Sequence, residues 1–273
     1  MEQIEPWQID EMVRAFLAED IGRGDRTTDA VIDEGALAAA RIEAREPAVI
    51  AGLEVAEACF RELGNVEWHP QVRDGDAVEA GAVVARLDGS LRSILTGERT
   101  ALNLLQRMSG IATAARRYVE AVAGTTATVV DTRKTTPGLR VLEKYAVRTG
   151  GASNHRAGLD DGILIKDNHI VGAGSVTEAV ERARRAAPHG LKIEVEVTDL
   201  DQLDAATAAG VDAVLLDNMS PDQIRAAVAR AGGKVLLEAS GGITLDNIAE
   251  YARTGVDLIS VGALTHSVRA VDL

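Results

Sequence analysis

The chain of 273 residues is 46% hydrophobic and 26% charged, with only 3% aromatic side chains, and its 42 acidic against 29 basic residues give a formal charge of −13. That hydrophobic content builds a core and excludes intrinsic disorder, and the length implies two domains or one large barrel. The acidic balance and seven aromatic residues speak against nucleic acid as a partner, which would need cations for phosphates and rings for bases.

At the N-terminus, Glu2, Glu5, Asp10 and Glu11 stand where a signal peptide would be basic and then apolar, and no apolar run is long enough for a membrane helix. A cytoplasmic location with no membrane partner is the expectation. An acidic helix is predicted near residues 8–19, followed by strands within 38–52 and 65–89. The single cysteine, Cys59, sits in the helical pattern LEVAEACF and reads as core. DGDAVEAGAVVARLDG (74–89) has the glycine punctuation of biotinyl and lipoyl carrier hairpins. A carrier needs a lysine for its cofactor and the first lysine here is Lys134, so that function is excluded. Residues 91–123 are strongly helical and join this α/β unit to the remainder of the chain.

From residue 128 onward, short aliphatic runs alternate with amphipathic stretches, the pattern of parallel strands joined by crossover helices. Strands are predicted at 128–134, 163–168, 192–197, 213–218, 234–240 and 258–263. Ser175 with Glu178, and Ser220 with Gln223, have the spacing of capping boxes, and Gly210 and Gly255 stand where left-handed C-caps favour glycine. In a parallel α/β barrel all strand carboxyl ends open on one face, so the polar residues that end these strands would converge on one pocket.

Several of those residues carry chemistry. Residues 131–170 hold seven bases against five acids, a basic island in an acidic protein. Arg133, Lys134, Arg140, Lys144, Arg148, His155, Arg156 and Lys166 lie there, with glycines at 138, 150, 151 and 158 that would let backbone approach a ligand. Arginine forks and lysine point charges suit a small, multiply charged anion. Glu196 and Asp217 end neighbouring predicted strands and supply the oxygen pair that Mg²⁺ takes alongside water and phosphate. Two glycine turns, Ser240–Gly241–Gly242 before a predicted helix and Val261–Gly262–Ala263 after the last strand, offer backbone N–H groups to phosphate. There is no zinc-type cysteine cluster, no GxSxG elbow and no Walker motif.

Taken with EDIGRGDRTTD (19–29), GERTALNLLQRMSGIAT (97–113), DTRKTTPGLR (131–140), NHR (154–156), LIKDNHI (164–170), EVEV (194–197), LLDN (215–218) and EASGGIT (238–244), the chain resembles the quinolinate phosphoribosyltransferases of NAD biosynthesis over nearly its whole length. The resemblance implies an N-terminal α/β sandwich (1–108) and an incomplete, roughly seven-stranded parallel α/β barrel (109–273), whose C-terminal segment packs back on the first domain. It further implies a homodimer with shared active sites.

The implied reaction converts quinolinate and phosphoribosyl pyrophosphate to nicotinate mononucleotide, pyrophosphate and CO₂ with Mg²⁺. By the same resemblance Arg99 reaches quinolinate across the dimer, and Arg133, His155, Arg156 and Lys166 line its pocket. Lys134, Thr135, Glu196, Asp217, the Ser240–Gly242 turn and the Val261–Ala263 turn hold the donor and its metal, with Lys134, Glu196 and Asp217 catalytic. The alternatives are transfer to nicotinate or another pyridine carboxylate without decarboxylation, a barrel lyase using Lys166 as a Schiff-base nucleophile, and a catalytically silent metabolite-binding protein.

Overall fold

In the computed structural model, which describes residues 4–273, the acidic N-terminal stretch forms helix α1 (Pro6–Ile21), which buries Ile9, Val13 and Leu17 at helical spacing. Helix α2 (Arg26–Val31) is capped by Asp25, whose carboxylate accepts from the Thr28 N–H at 3.0 Å. Next in the chain come β1 (Leu37–Glu43), β2 (Ala48–Val49), α3 (Leu53–Leu63), β3 (Val66–Pro70), β4 (Ala77–Val78), β5 (Val83–Ser90) and the 31-residue α4 (Leu91–Ala121). Cys59 is fully buried in α3. An antiparallel sheet orders β1-β5-β3, while β2 and β4 form a separate ladder. Because β4 and β5 pair into different sheets, residues 74–89 are not a carrier-type hairpin.

Ala101, Leu104, Leu105, Met108, Ile111, Ala112 and Ala115 are buried along one stripe of α4, the spacing that gives an amphipathic helix its core face. The start of α3 is pinned against this stripe. Gly52 adopts φ +100°, and a Cβ there would come 2.6 Å from Met108 Sδ, so only glycine fits. Asp74 accepts from the Gly52 and Leu53 N–H groups and from the Tyr145 hydroxyl at 2.8 Å.

The chain forms two units that interleave in sequence. The first takes the chain up to Arg116, then Pro137–Gly151 and Ser267–Leu273; the second takes Arg117–Thr136 and Ala152–His266. This differs from a single cut at 108/109, since residues 137–151 return to the first unit as helix α5 (Arg140–Thr149). Within that unit Arg107 Nε donates to the buried Glu143 of α5 at 2.9 Å, and Gly150 packs so close to Ala112 that an added Cβ would meet its carbonyl oxygen at 2.4 Å. The last residues also belong there: Arg45 N–H donates to Asp272 O at 2.9 Å, and Val271 N–H to Gln106 O at 3.2 Å.

The second unit contains β6 (Thr128–Val130), β7 (Ile163–Ile165), α6 (Asp167–Ala173), α7 (Val176–Ala186), β8 (Ile193–Val197), α8 (Leu200–Ala208), β9 (Ala213–Asp217), α9 (Pro221–Ala231), β10 (Leu236–Ser240), α10 (Ile248–Ala252), β11 (Leu258–Ser260) and α11 (Ala263–His266). Its strands are all parallel in the order β6-β11-β10-β9-β8-β7. Val195, Val197, Val214, Leu216 and Ala239 are wholly buried, as expected of strands covered on both faces.

The expectation of about seven strands is corrected to six and a single residue: Ser153 bridges Val130 in parallel on the outer side of β6, and no ladder joins it to β7. That open seam is what makes the barrel incomplete. Ser175 caps α7 by accepting from Glu178 N–H, and Ser220 with Gln223 forms the full capping box of α9. Gly210 and Gly255 have φ +75° and +87°.

Candidate active site

Side chains two apart on a strand share a face, and the inward face of this barrel is built from such pairs. Leu164 with Lys166, Leu215 with Asp217, and Glu238 with Ser240 all line one cavity of about 560 Å³ at the carboxyl ends of the strands. On β8, Glu196 lines it too, while Glu194 is buried one step deeper. Arg133, Lys134, His155, Arg156, Gly241 and Gly242 complete much of the wall. The volume suits a small ligand.

Asp131, wholly buried where the chain leaves β6, organises the NHR segment. Its carboxylate accepts from Asn154 Nδ2 at 2.7 Å and from His155 N–H at 2.8 Å. His155 Nδ1 accepts the Arg156 N–H at 2.8 Å, and Nε2 lies 3.0 Å from Glu194 Oε2 and 3.5 Å from Glu238 Oε2. Both ring nitrogens are thereby engaged within the protein. Arg156 donates to Gly162 O at 2.8 Å. Burial, and then the like charge of Arg133, hold its guanidinium pKa below the ordinary value. Arg133 Nε is itself buried without a hydrogen-bond partner. Two crowded guanidiniums at the wall of a cleft form a site for an anion.

Lys166 precedes α6, and its N–H donates to His169 Nδ1 at 2.9 Å, which anchors the start of that helix; its ammonium reaches Glu196 Oε2 at 2.7 Å. Asp217 accepts from the side chain of Asn218, which adopts the left-handed region at φ +52°. Gly241, at φ +97°, lies so near Asn218 that a Cβ would meet Oδ1 at 2.2 Å. The glycine turn and the Asp217 corner therefore fit only with glycine at 241. Glu196 and Asp217 are the carboxylates that suit Mg²⁺: hard oxygen donors on one cavity, with room left for water and phosphate. Gly262 serves Lys134, whose Cδ lies 3.0 Å from where a Cβ would be.

Some sequence-predicted residues lie elsewhere. Arg140, Lys144 and Arg148 are on α5 in the first unit and not on the cavity wall, so the basic island divides between the two units. Glycines 150 and 158 serve packing and a tight loop rather than a ligand, since Cβ atoms there would meet Ala112 O and Asp160 Oδ1. Thr135, Val261, Gly262 and Ala263 border the cavity residues without lining it, and Arg99 is exposed on α4 in the first unit. The Ser240–Gly242 turn lines the cavity by itself, because α10 starts only at Ile248. Sequence reasoning missed Glu194 and gave Glu238 no role. The usable signal was a carboxylate set inside an otherwise aliphatic parallel strand, where an unpaired charge is costly.

A parallel barrel whose strand ends gather guanidiniums, an ammonium, two carboxylates and a glycine turn around one cleft defines an enzyme for small polyanionic substrates. Residues 25–109 match the family model for the quinolinate phosphoribosyl transferase N-terminal domain and residues 111–273 that for its C-terminal domain. The chain is 45% identical over 267 residues to a probable nicotinate-nucleotide pyrophosphorylase (carboxylating) of Bacillus subtilis, covering 97% of this chain and 92% of that protein. It is 48% identical over 268 residues to the nicotinate-nucleotide pyrophosphorylase (carboxylating) of Mycobacterium leprae, covering 96% and 94%. The crystal structure of NadC from Streptococcus pyogenes superposes with a TM-score of 0.96 at 43% identity, covering 100% of this chain and 96% of that one. The protein belongs to the quinolinate phosphoribosyl transferase family.

Proposed function

We infer that the protein transfers the phosphoribosyl group of phosphoribosyl pyrophosphate to quinolinate with loss of CO₂, giving nicotinate mononucleotide and pyrophosphate for NAD biosynthesis. The observation that carries this reading is the meeting of Arg133, Arg156 and Lys166 with Glu196, Asp217 and the Ser240–Gly242 turn on one cavity. Quinolinate brings two adjacent carboxylates, for which the two guanidiniums and the Lys166 ammonium are the counter-charges. Lys134 and the glycine turn serve the phosphates of the donor.

As pyrophosphate leaves, the ribosyl carbon gains positive character, which Glu196 and Asp217 offset. The same two carboxylates would hold Mg²⁺, whose chemistry when bound would be charge neutralisation of the pyrophosphate group. Once ribosylated, the pyridine nitrogen is cationic and stabilises the carbanion left by decarboxylation. The assembly that suits this reading is a homodimer in which Arg99 of one subunit serves the cavity of its partner, and the setting that suits it is the cytoplasm. Among the described residues no helix is long and apolar enough to cross a membrane.

Comparison of quinolinate with nicotinate tests the reading. A monocarboxylate leaves part of the cation set unpaired, so kcat/KM for nicotinate should be lower by at least about a hundredfold. Comparable turnover of both would favour a transferase without decarboxylation.

A further inference from the structure

The proposed reaction leaves a proton unaccounted for. When the carboxylate at C2 of the ribosylated pyridine departs as CO₂, its bonding pair stays on C2, and the product carries hydrogen there. The arginines hold their protons too tightly to act as acids. Lys134 stands exposed at the rim, the Lys166 ammonium is taken up as counter-charge to the substrate carboxylates, and both nitrogens of His155 are engaged within the protein.

Glu238 is different. It lines the cavity, its side chain is 1% exposed, and its carboxyl group has only marginal contacts, His155 Nε2 at 3.5 Å and the Ser260 hydroxyl. An ionised carboxylate in that position would be buried with little hydrogen bonding, next to a second carboxylate.

Resting on the decarboxylating reading above, we propose that Glu238 is the general acid that protonates C2. The C2–carboxylate bond breaks and CO₂ leaves uncharged. The electron pair on C2 takes the proton from the Glu238 carboxyl group, forming C2–H. The Glu238 carboxylate regains one proton from solvent in each turnover.

The surroundings keep this group protonated until it is used. Around Glu238 stand Glu194 from β8, the apolar Leu215 from β9, Ser260 from β11, and His155 from the segment after Ser153. Burial first, and then the charge of Glu194, raise its pKa to about 7, against the smaller opposing pulls of His155 and Ser260. A donor poised near neutral pH is what general acid catalysis requires.

The test is Glu238→Gln, which keeps the shape and removes the acid. The variant should bind quinolinate within about threefold of wild type, while kcat for CO₂ release falls roughly 10²- to 10⁴-fold. In single turnovers of the wild-type enzyme, CO₂ release should decline above about pH 7 while pyrophosphate release does not, a readout that stands even if the variant fails to fold. A variant that keeps kcat within threefold, or wild-type CO₂ release that is flat from pH 6 to 9, overturns the assignment. A variant whose only defect is a raised quinolinate KM overturns it as well, and makes Glu238 a binding residue. Wild-type protein that releases no CO₂ from quinolinate overturns the functional reading itself, whereas an active wild type with an unaffected variant overturns the role of Glu238 alone.

Discussion

The ammonium of Lys166 lies 2.7 Å from Glu196 Oε2, joining the end of β7 to the neighbouring strand β8 across the mouth of the cavity. The lysine is 47% exposed and the glutamate 15%, so the pair stands at the edge of solvent and substrate can separate it. An amine held in this way is an electrostatic clamp rather than a free nucleophile, which sets the geometry against a Schiff-base lyase. Borohydride treatment in the presence of quinolinate should leave the intact mass of the protein unchanged. Lys166→Met should raise the quinolinate KM by about tenfold or more, the loss expected when one charge-assisted contact to a carboxylate is removed. A trapped adduct on Lys166 would reverse this assignment.

Arg133 and Arg156 crowd one wall of the same cavity, and part of the cost of that crowding is recorded in the lowered Arg156 pKa. An anion bound between them relieves the repulsion, and it binds the folded state only. Quinolinate at a hundred times its Kd should therefore stabilise the protein by about 2.7 kcal/mol. The resulting rise in melting temperature should largely disappear in Arg133→Ala. An equal rise in that variant would place the anion elsewhere.

Much of this was legible in the chain. Parallel strands buried on both faces leave unbroken aliphatic runs, and the residues that end them could be read as a cluster because strand direction in a barrel is fixed. The helix starts at Ser175 and Ser220 were visible because capping is local. What failed was non-local. Ser153 occupies a strand position with one residue and leaves no periodicity. Helix α5 carries basic residues adjacent in sequence to the cavity loop, yet it buries Leu142, Glu143, Lys144, Ala146 and Val147 in the first unit. Glu194 and Glu238 come from strands separated by β9, so only the register shows that His155 bridges them.

That buried trio also predicts how stability responds to pH. The Glu238 pKa is raised from 4.5 to about 7 in the folded protein, so its contribution is complete below about pH 4.5 and is lost as pH rises through 7. Glu238→Gln removes this loss. Relative to wild type, the variant should gain stability between pH 5 and pH 8, by at most about 3 kcal/mol. Urea unfolding of both proteins at the two pH values measures it, and a constant difference would show that Glu238 is ionised throughout.

Arg99 is exposed in the first unit, and its proposed substrate lies in a partner's cavity. Arg99→Ala and Arg133→Ala should each be nearly inactive. When their subunits are exchanged, a heterodimer with two shared sites should regain about half the activity of a wild-type dimer, because one of its two cavities then has both arginines. Subunits that exchange without restoring activity would rule out the shared site.

In the proposed reaction this one cavity couples ribosyl transfer to decarboxylation. The most direct measurement is release of labelled CO₂ from quinolinate carrying the label in its C2 carboxylate, with phosphoribosyl pyrophosphate and Mg²⁺ present and each omitted in turn. One CO₂ per pyrophosphate, dependent on the donor, is the predicted result. Pyrophosphate released without CO₂, or neither product formed by folded protein, would contradict it.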